Sequence, residues 1–142
     1  MKAGHFKEAE EDFRGMLQID PEYAPALLRL GLVYNFAGRY AEAAQVLRRG
    51  AESEPTNAAA HELLGEALYG EQKYEEAAVS AERALKLSPN HADALYFAGL
   101  ARASLGQRDP ALAHLEKLQQ LKSPELTQRL LDFINQKAPV KQ

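Results

Sequence analysis

The hydrophobic positions of the chain recur with the period of an α-helix, in short segments separated by turn residues. Leu27, Leu30 and Tyr34 are spaced i, i+3 and i+7, which places them on one face of a helix. Gly38 follows this stripe, and glycine adopts at no steric cost the left-handed conformation that ends many helices. The pattern therefore predicts a helix that ends at the turn around residue 38.

A second helix is predicted directly after this glycine. Tyr40, Ala43 and Leu47 form its apolar stripe, and Pro55 comes after it. We expect Pro55 to open the next helix, because a proline in the first turn loses no helical hydrogen bond. The unit is thus a predicted helix–turn–helix hairpin, in which Gly31 and Ala43 are small where the two helices must approach closely.

The same pattern recurs every 34 residues along the chain. The residue types that share this register are proline, alanine, glycine and a Gly-containing pair. The prolines are Pro21, Pro55 and Pro89, and the alanines are Ala9, Ala43, Ala77 and Ala111. The glycines are Gly4, Gly38 and Gly106, with Gln72 in the remaining place, and the pairs stand at 30–31, 64–65 and 98–99. Several independent series in one register indicate an internal repeat.

In this register the chain resembles the tetratricopeptide repeat family, whose 34-residue motif places Leu-Gly, Tyr, Ala and Pro at fixed positions. The resemblance implies an all-α fold, a right-handed α-solenoid of helix–turn–helix hairpins with a C-terminal capping helix. By this resemblance, residues 1–142 form a single domain. It begins with a half repeat at 1–23 that has only a second helix, continues with full repeats at 24–57, 58–91 and 92–125, and ends with a capping helix at 125–137 and a tail at 138–142. The third repeat departs from the motif at Arg102 and Arg108.

The capping helix has its own apolar stripe and its own start signal. The stripe consists of Leu126, Leu130, Phe133 and Ile134. Ser123 is predicted as the N-cap, with Pro124 in the first helical position. A helix of this kind covers the last apolar face of a solenoid.

Composition and charge exclude several function classes. The chain has no cysteine, which excludes a disulfide scaffold, a Cys-ligated metal and a thiol nucleophile. A net charge of −3 argues against general nucleic-acid binding, which needs a basic surface. No apolar run approaches the ~20 residues of a membrane span, and the N-terminus lacks the apolar stretch of a secretory signal. These features favour a cytoplasmic location, although the sequence does not fix the compartment.

Few residues suggest chemistry. None of the four histidines pairs with another at helical spacing, so no metal site or cofactor is expected, and His61 is interpreted as a packing residue. Glu62 and Glu66 lie one helical turn apart. Three interpretations of this pair stay open: a solvated helix face, recognition of a ligand, and general acid/base catalysis.

The resemblance also implies a binding surface, because the first helix of each repeat lines the concave face in this family. Carried onto this chain, that face comprises Leu28, Leu32, Asn35, Phe36, Glu62, Glu66, Tyr69, Asp93, Tyr96 and Leu100. We expect these side chains to lie outside the inter-helix core, and their apolar and acidic character predicts a peptide or helix with apolar and basic side chains as the ligand. The alternative is that the capping helix or a neighbouring molecule occupies the groove.

One well-known subclass of the family does not fit. Its chaperone-binding members grip a terminal carboxylate with Lys, Asn and Arg. The corresponding positions here are Leu28, Leu32, Leu63, Asp93 and Phe97. No cation among them could meet a carboxylate, so this function is not expected.

The half repeat at 1–23 predicts a second interaction surface. Phe6, Phe13 and Met16 would pack partly against a first helix that this half repeat lacks. We expect either that the chain is excised from a longer repeat protein or that it forms a homodimer through this helix. The sequence as a whole therefore predicts a non-enzymatic protein-interaction scaffold; its alternatives are a homotypic self-assembly module that uses its ends or groove, and the regulatory segment of a longer enzyme.

Overall fold

The computed structural model describes residues 3–140, and all regular secondary structure in this range is α-helical. The helices are α1 (Ala3–Ile19), α2 (Ala24–Phe36), α3 (Tyr40–Ser53), α4 (Ala58–Gly70), α5 (Tyr74–Leu87), α6 (Ala92–Ser104), α7 (Arg108–Gln120) and α8 (Pro124–Lys137). The predicted all-α solenoid is confirmed.

The helix pairs α2–α3, α4–α5 and α6–α7 repeat one geometry. Their first helices begin 34 residues apart, at Ala24, Ala58 and Ala92. The turn inside each pair contains one residue in the left-handed conformation, and these residues are Gly38 (φ 74°), Gln72 (φ 63°) and Gly106 (φ 75°). The glycine prediction is therefore confirmed, and Gln72 adopts the same conformation without being glycine.

The helices form two layers. In the inner layer α2, α4, α6 and α8 contact one another in sequence, whereas the outer helices α1, α3, α5 and α7 make no contact with each other within residues 3–140. A stack whose helices are closer together on one side curves toward that side. The first helices of the pairs therefore form the concave face, and the second helices form the convex face.

Close packing inside the stack depends on glycines of the inner helices. A Cβ on Gly31 would lie 2.3 Å from Cγ of the fully buried Leu47. At Gly65 the close neighbour is backbone, with the Ala81 nitrogen 3.2 Å from such a Cβ. The predicted close approach is thus present, through a side chain in the first pair and through the backbone in the second.

One predicted helix start is wrong. Pro55 does not open a helix but lies in the turn before α4, where its carbonyl is 2.8 Å from Nε2 of His61. The start of α4 is capped by Asn57, whose side chain accepts a hydrogen bond from the backbone N–H of Ala59 at 3.0 Å. The predicted start of α8 is confirmed, since Ser123 is its N-cap residue and Pro124 lies in its first turn, although the Ser123 side chain makes no capping hydrogen bond.

The capping helix α8 packs on α6 and α7. Leu130 and Ile134 are fully buried there, whereas Gln128, Arg129 and Asp132 are exposed on the outer surface. The apolar core is therefore closed at this end by a polar helix face, as a solenoid cap requires.

The two arginines at which the third repeat departs from the motif have structural partners. Arg108 donates from Nη1 to the Ala138 carbonyl at 2.7 Å, which ties α7 to the end of α8. Arg102 of α6 forms ion pairs with Glu82 and Glu75 of α5. Both arginines thus form contacts between neighbouring helices.

Candidate binding groove

The concave face carries the predicted groove residues at very different degrees of exposure. Leu32 is 39% exposed and Phe36 is 69% exposed, which agrees with the expectation that they lie outside the core. Asp93 is exposed, and the partly buried members are Leu28, Glu66 and Tyr69. The buried members are Asn35, Glu62, Tyr96 and Leu100.

One end of the groove is apolar. Leu28, Leu32 and Phe36 follow one another along α2, at spacings of four residues that place them on one helix face. The Phe36 ring lies 6.4 Å from the ring of Phe6 on α1, measured between centroids. Leu28, however, packs against the core of the first repeat, so its predicted place outside the core is wrong. The exposed apolar surface at this end consists of Leu32 and Phe36, beside the ring of Phe6.

The middle of the groove is acidic and lacks a cation. Glu62, Glu66 and Asp93, here called the acidic cluster, form no ion pair with another residue of 3–140. Burial and the neighbouring carboxylates of Glu66 and Asp93 raise the pKa of Glu62 to about 8. Burial and Asp93 also raise the pKa of Glu66. Because Glu62 is only 6% exposed, the interpretation of this pair as a solvated face is wrong for Glu62.

The orientation of α4 separates this cluster from the packing residues of the same helix. His61, a buried residue of α4, donates from Nε2 to the Pro55 carbonyl at 2.8 Å, so its interpretation as a packing histidine is confirmed. Glu62 and Glu66 occupy the other side of α4. The described residues contain no group of three or more His, Cys, Asp or Glu side chains arranged to hold a metal ion.

Asn35 links α2 to the acidic cluster. Its side-chain Nδ2 donates to the Leu63 carbonyl of α4 at 3.2 Å. Its Oδ1 is buried and has no hydrogen-bond partner among residues 3–140. A buried acceptor without a donor is costly and is rare in folded proteins, so this oxygen marks a place where a donor is missing.

The other end of the groove is covered by α8. Tyr96 and Leu100 belong to the same buried cluster as Leu130 and Ile134, with exposed fractions of 9% and 5%. The Arg129 guanidinium of α8 stands over the Tyr96 ring, 5.2 Å from its centroid. The expectation that Tyr96 and Leu100 lie outside the core is therefore wrong, because α8 packs on α6 in the way that α6 packs on α4.

The N-terminal surface contains the residues predicted for self-association. Phe6 and Phe13 are partly buried, and Phe13 packs against the core of the first repeat. Met16 is 45% exposed, and Ile19, which the sequence analysis did not single out, is 89% exposed. The helix that carries them, α1, contacts α2 and no other helix of the described chain.

Two further depressions lie on the convex side, where sequence reasoning predicted nothing. One, of about 630 Å³, lies between α3 and α5 and has His61, Leu64 and Leu68 of α4 in its floor. The other, of about 670 Å³, lies between α5 and α7. Val79 and Arg83 border both. Such depressions arise between helices of successive repeats, and no short motif encodes them.

No helix within the described residues has the length and apolar character needed to cross a membrane.

Comparison with known proteins gives one consistent result. A tetratricopeptide repeat model matches residues 1–67, and a second model of the same name matches residues 58–91. A crystal structure of MamA is 27% identical to the chain with a TM-score of 0.80, and the match covers 95% of this chain and 87% of that chain. A MamA structure (41-end) from Desulfovibrio magneticus RS-1 is 24% identical with a TM-score of 0.78, covering 86% of this chain and 69% of that one.

A third similar structure is the first TPR of Spaghetti (RPAP3) bound to the HSP90 peptide SRMEEVD. It is 24% identical with a TM-score of 0.75, and the match covers 82% of this chain and 94% of that chain. At this identity the similarity shows the fold alone. No curated protein sequence matches the chain significantly.

Proposed function

The chain belongs to the tetratricopeptide repeat family, and on that premise we propose that its concave face binds a peptide or a helix with apolar and basic side chains. One observation carries this proposal. Neighbouring inner helices present an exposed aromatic side chain, Phe36, and a cluster of carboxylates that has no cation among the described residues. A ligand with one apolar anchor and one Lys or Arg would satisfy both.

The distance between the two features limits the ligand. Packed helices lie about 8–10 Å apart, so an apolar anchor on α2 and a cation on α4 must be separated by a similar length. That length corresponds to about three residues of extended chain or about six residues of helix. Suitable probes are synthetic peptides with one phenylalanine and one arginine separated by alanines, here called the Phe–Arg peptides, and matched peptides in which neutral citrulline replaces arginine.

The proposed role is non-enzymatic. General acid/base catalysis by two carboxylates needs environments that push their pKa values apart. Here burial raises the pKa of both Glu62 and Glu66 in the same direction. If the chain is a segment of a longer enzyme, the same groove would serve as a regulatory contact.

The proposal is tested with variants on the two faces of the molecule. Phe36→Ala removes an exposed concave ring and should weaken binding of the Phe–Arg peptides by about 1–2 kcal/mol. Val79→Ala is the matched control, because Val79 is 56% exposed on the convex side. Fluorescence anisotropy with dye-labelled peptides gives the affinities. The proposal would be contradicted if Phe36→Ala and Val79→Ala weakened peptide binding equally, or if the citrulline peptides bound as tightly as the Phe–Arg peptides.

A second candidate function is self-association through α1. The observation that favours it is the exposure of Met16 and Ile19 on a helix that packs against α2 alone within residues 3–140. Met16→Glu should shift the chain toward monomer, and Val79→Glu is a control at another exposed apolar position. Met16 is a sharper probe than Phe13, because Phe13 also packs against the core. Light scattering over a range of concentrations measures the oligomeric state of each variant. A wild-type chain that stays monomeric at every concentration would exclude this candidate.

A further inference from the structure

Glu62 is the only carboxylate in the buried core of the described chain. It is 6% exposed, and within residues 3–140 it has no ion pair and no hydrogen bond that would stabilise its charge. An ionised carboxylate in such a position loses most of its hydration and gains nothing in return. Its neutral, protonated form is therefore favoured while the groove is empty.

The groups around Glu62 strengthen this preference. Glu66 on the same helix and Asp93 on α6 both act on it through their negative charge. From α2 the neutral side chain of Asn35 contacts the carbonyl of Leu63, the residue after Glu62. The helices α3 and α5 pack on the far side of α4, and their arginines Arg48 and Arg83 line the convex depression. Neither Glu62 nor Glu66 thus has a positive charge of the described chain near enough to lower its pKa.

Asn35 supplies an independent sign that a donor is missing. Its Nδ2 is held by the carbonyl of Leu63, the residue after Glu62, and its Oδ1 is buried without a partner. Because the two amide atoms share one carbon, Oδ1 stays beside the turn of α4 that carries the cluster. Once Glu62 is ionised, its carboxylate and the amide oxygen of Asn35 both lack a donor. An ammonium group with three N–H donors or a guanidinium group with five can supply it.

We propose that the groove exchanges a proton for the cationic side chain of its ligand, a property that rests on the proposed function and specifies it further. When the groove is empty, the acidic cluster holds a proton. When a lysine or arginine side chain enters, the O–H bond of the carboxyl breaks, the proton passes to the solvent, and the carboxylate accepts hydrogen bonds from the ligand. No oxidation or reduction is involved.

The exchange gives binding a defined pH dependence. Cation binding releases a proton only where the free groove is protonated, which is below the pKa of Glu62, about 8. In that range the affinity for a Phe–Arg peptide should rise by about tenfold for each pH unit. Above this pKa the affinity should level off, because no proton remains to be displaced.

The free protein offers the first test. Carbon-13 NMR of the side-chain carboxyl groups, assigned by comparison with Glu62→Gln, should show Glu62 titrating near pH 8. In a variant with Glu66→Gln and Asp93→Asn the midpoint should move to lower pH, because two of its three causes are removed. A midpoint in the ordinary range near 4.5 for the wild type would overturn the proposal.

Calorimetry provides the second test. Binding of a Phe–Arg peptide at pH 7 is measured in two buffers of different ionisation enthalpy, which gives the number of protons released. We expect about one proton for the wild type and for Glu52→Gln, an exposed carboxylate near the convex depression, and none for Glu62→Gln. Thermal melting of each variant shows that it is folded.

The outcomes separate this proposal from the one on which it rests. Peptide binding without proton release and without pH dependence would overturn the exchange and leave the proposed function standing. If no Phe–Arg peptide bound at pH 9, where the cluster is ionised, the proposed ligand class and the exchange would both be wrong.

Discussion

Single residues set the distance between helices in this stack. Gly31 shows this directly, because a Cβ there would lie 2.3 Å from Cγ of Leu47, a side chain with no exposed surface. Gly31→Leu should therefore force α2 and α3 apart and lower the free energy of unfolding by about 1–3 kcal/mol. Urea denaturation measures this difference.

A matched glycine supplies the control for this prediction. Gly15 lies inside α1, and a Cβ there would meet no atom within 4 Å. Gly15→Ala should leave the fold intact and stabilise α1 by up to about 1 kcal/mol, since alanine has the higher helix propensity. An unchanged unfolding free energy in Gly31→Leu would show that Gly31 has no role in close packing.

At the residue scale the sequence predicted conformation better than exposure. Local chemistry alone predicts a left-handed turn at Gly38, and its φ of 74° confirms this. The repeat pattern predicts Tyr96 and Leu100 outside the core because it describes one hairpin at a time. Their burial depends on α8, which is distant in sequence and packs against α6.

Among the helices, α1 is held against the first full repeat partly by polar contacts. The Tyr34 hydroxyl of α2 accepts a hydrogen bond from Arg14 at 2.8 Å and donates one to Glu10 at 3.0 Å. The Glu10 carboxylate also accepts from Arg39 at 2.8 Å. One phenol thus joins two charged side chains of α1 to the first full repeat.

Removing that hydroxyl should loosen α1 selectively. Tyr34→Phe keeps the buried ring and deletes both hydrogen bonds, so we expect a loss of about 1 kcal/mol in the docking of α1. Hydrogen exchange by mass spectrometry should show faster exchange in residues 3–19, with residues 58–120 unchanged. Faster exchange throughout the chain would mean that α1 does not open as a separate unit.

The helices themselves were predictable, but the contacts that join them were not. Periodic apolar residues and turn glycines predicted each helix, because both signals are local. The ion-pair partners of Arg102 and the hydrogen-bond partners of Arg108 lie 20 or more residues away in sequence, so the motif alone shows these two arginines only as departures from it. Pro55 was misassigned for a related reason: the turn before α4 is long enough to hold it, and Asn57 supplies the cap instead.

For the whole molecule, two carboxylates make the free energy of unfolding depend on pH in opposite directions. Burial opposes the charge of Glu82, but hydrogen bonds from His114 and Arg102 outweigh it and hold its pKa at about 2. This stabilisation is present above the ordinary pKa of 4.5 and is lost as the pH falls toward 2. The pKa of Glu62 is raised to about 8, so its contribution is present below 4.5 and is lost as the pH rises through 8.

The unfolding free energy should therefore be highest near pH 5 and fall on both sides. Glu82→Gln should flatten the acid limb between pH 2 and 4.5, and Glu62→Gln should flatten the limb between 4.5 and 8. Urea denaturation at a series of pH values measures both limbs. If Glu62→Gln left the upper limb unchanged, the buried carboxylate would not be its cause.

The sequence predicted the solenoid and the helices that line its concave face, but not the distribution of charge and space over its surface. Exposure of Phe36 and Leu32 follows from their positions on the first helix of a repeat. The convex depression bordered by Val79 and Arg83 depends on the spacing of outer helices, which the motif does not specify. The concave and convex faces are therefore alternative binding surfaces, and an experiment can distinguish them.

Binding in the concave groove can be observed directly by chemical-shift mapping of a Phe–Arg peptide on the isotope-labelled chain at pH 9. We expect the largest shift changes on the concave residues Leu32, Phe36 and Glu66, with little change at Val79 and Arg83. Changes concentrated at Val79 and Arg83, with Leu32 and Phe36 unaffected, would contradict this expectation and assign binding to the convex side.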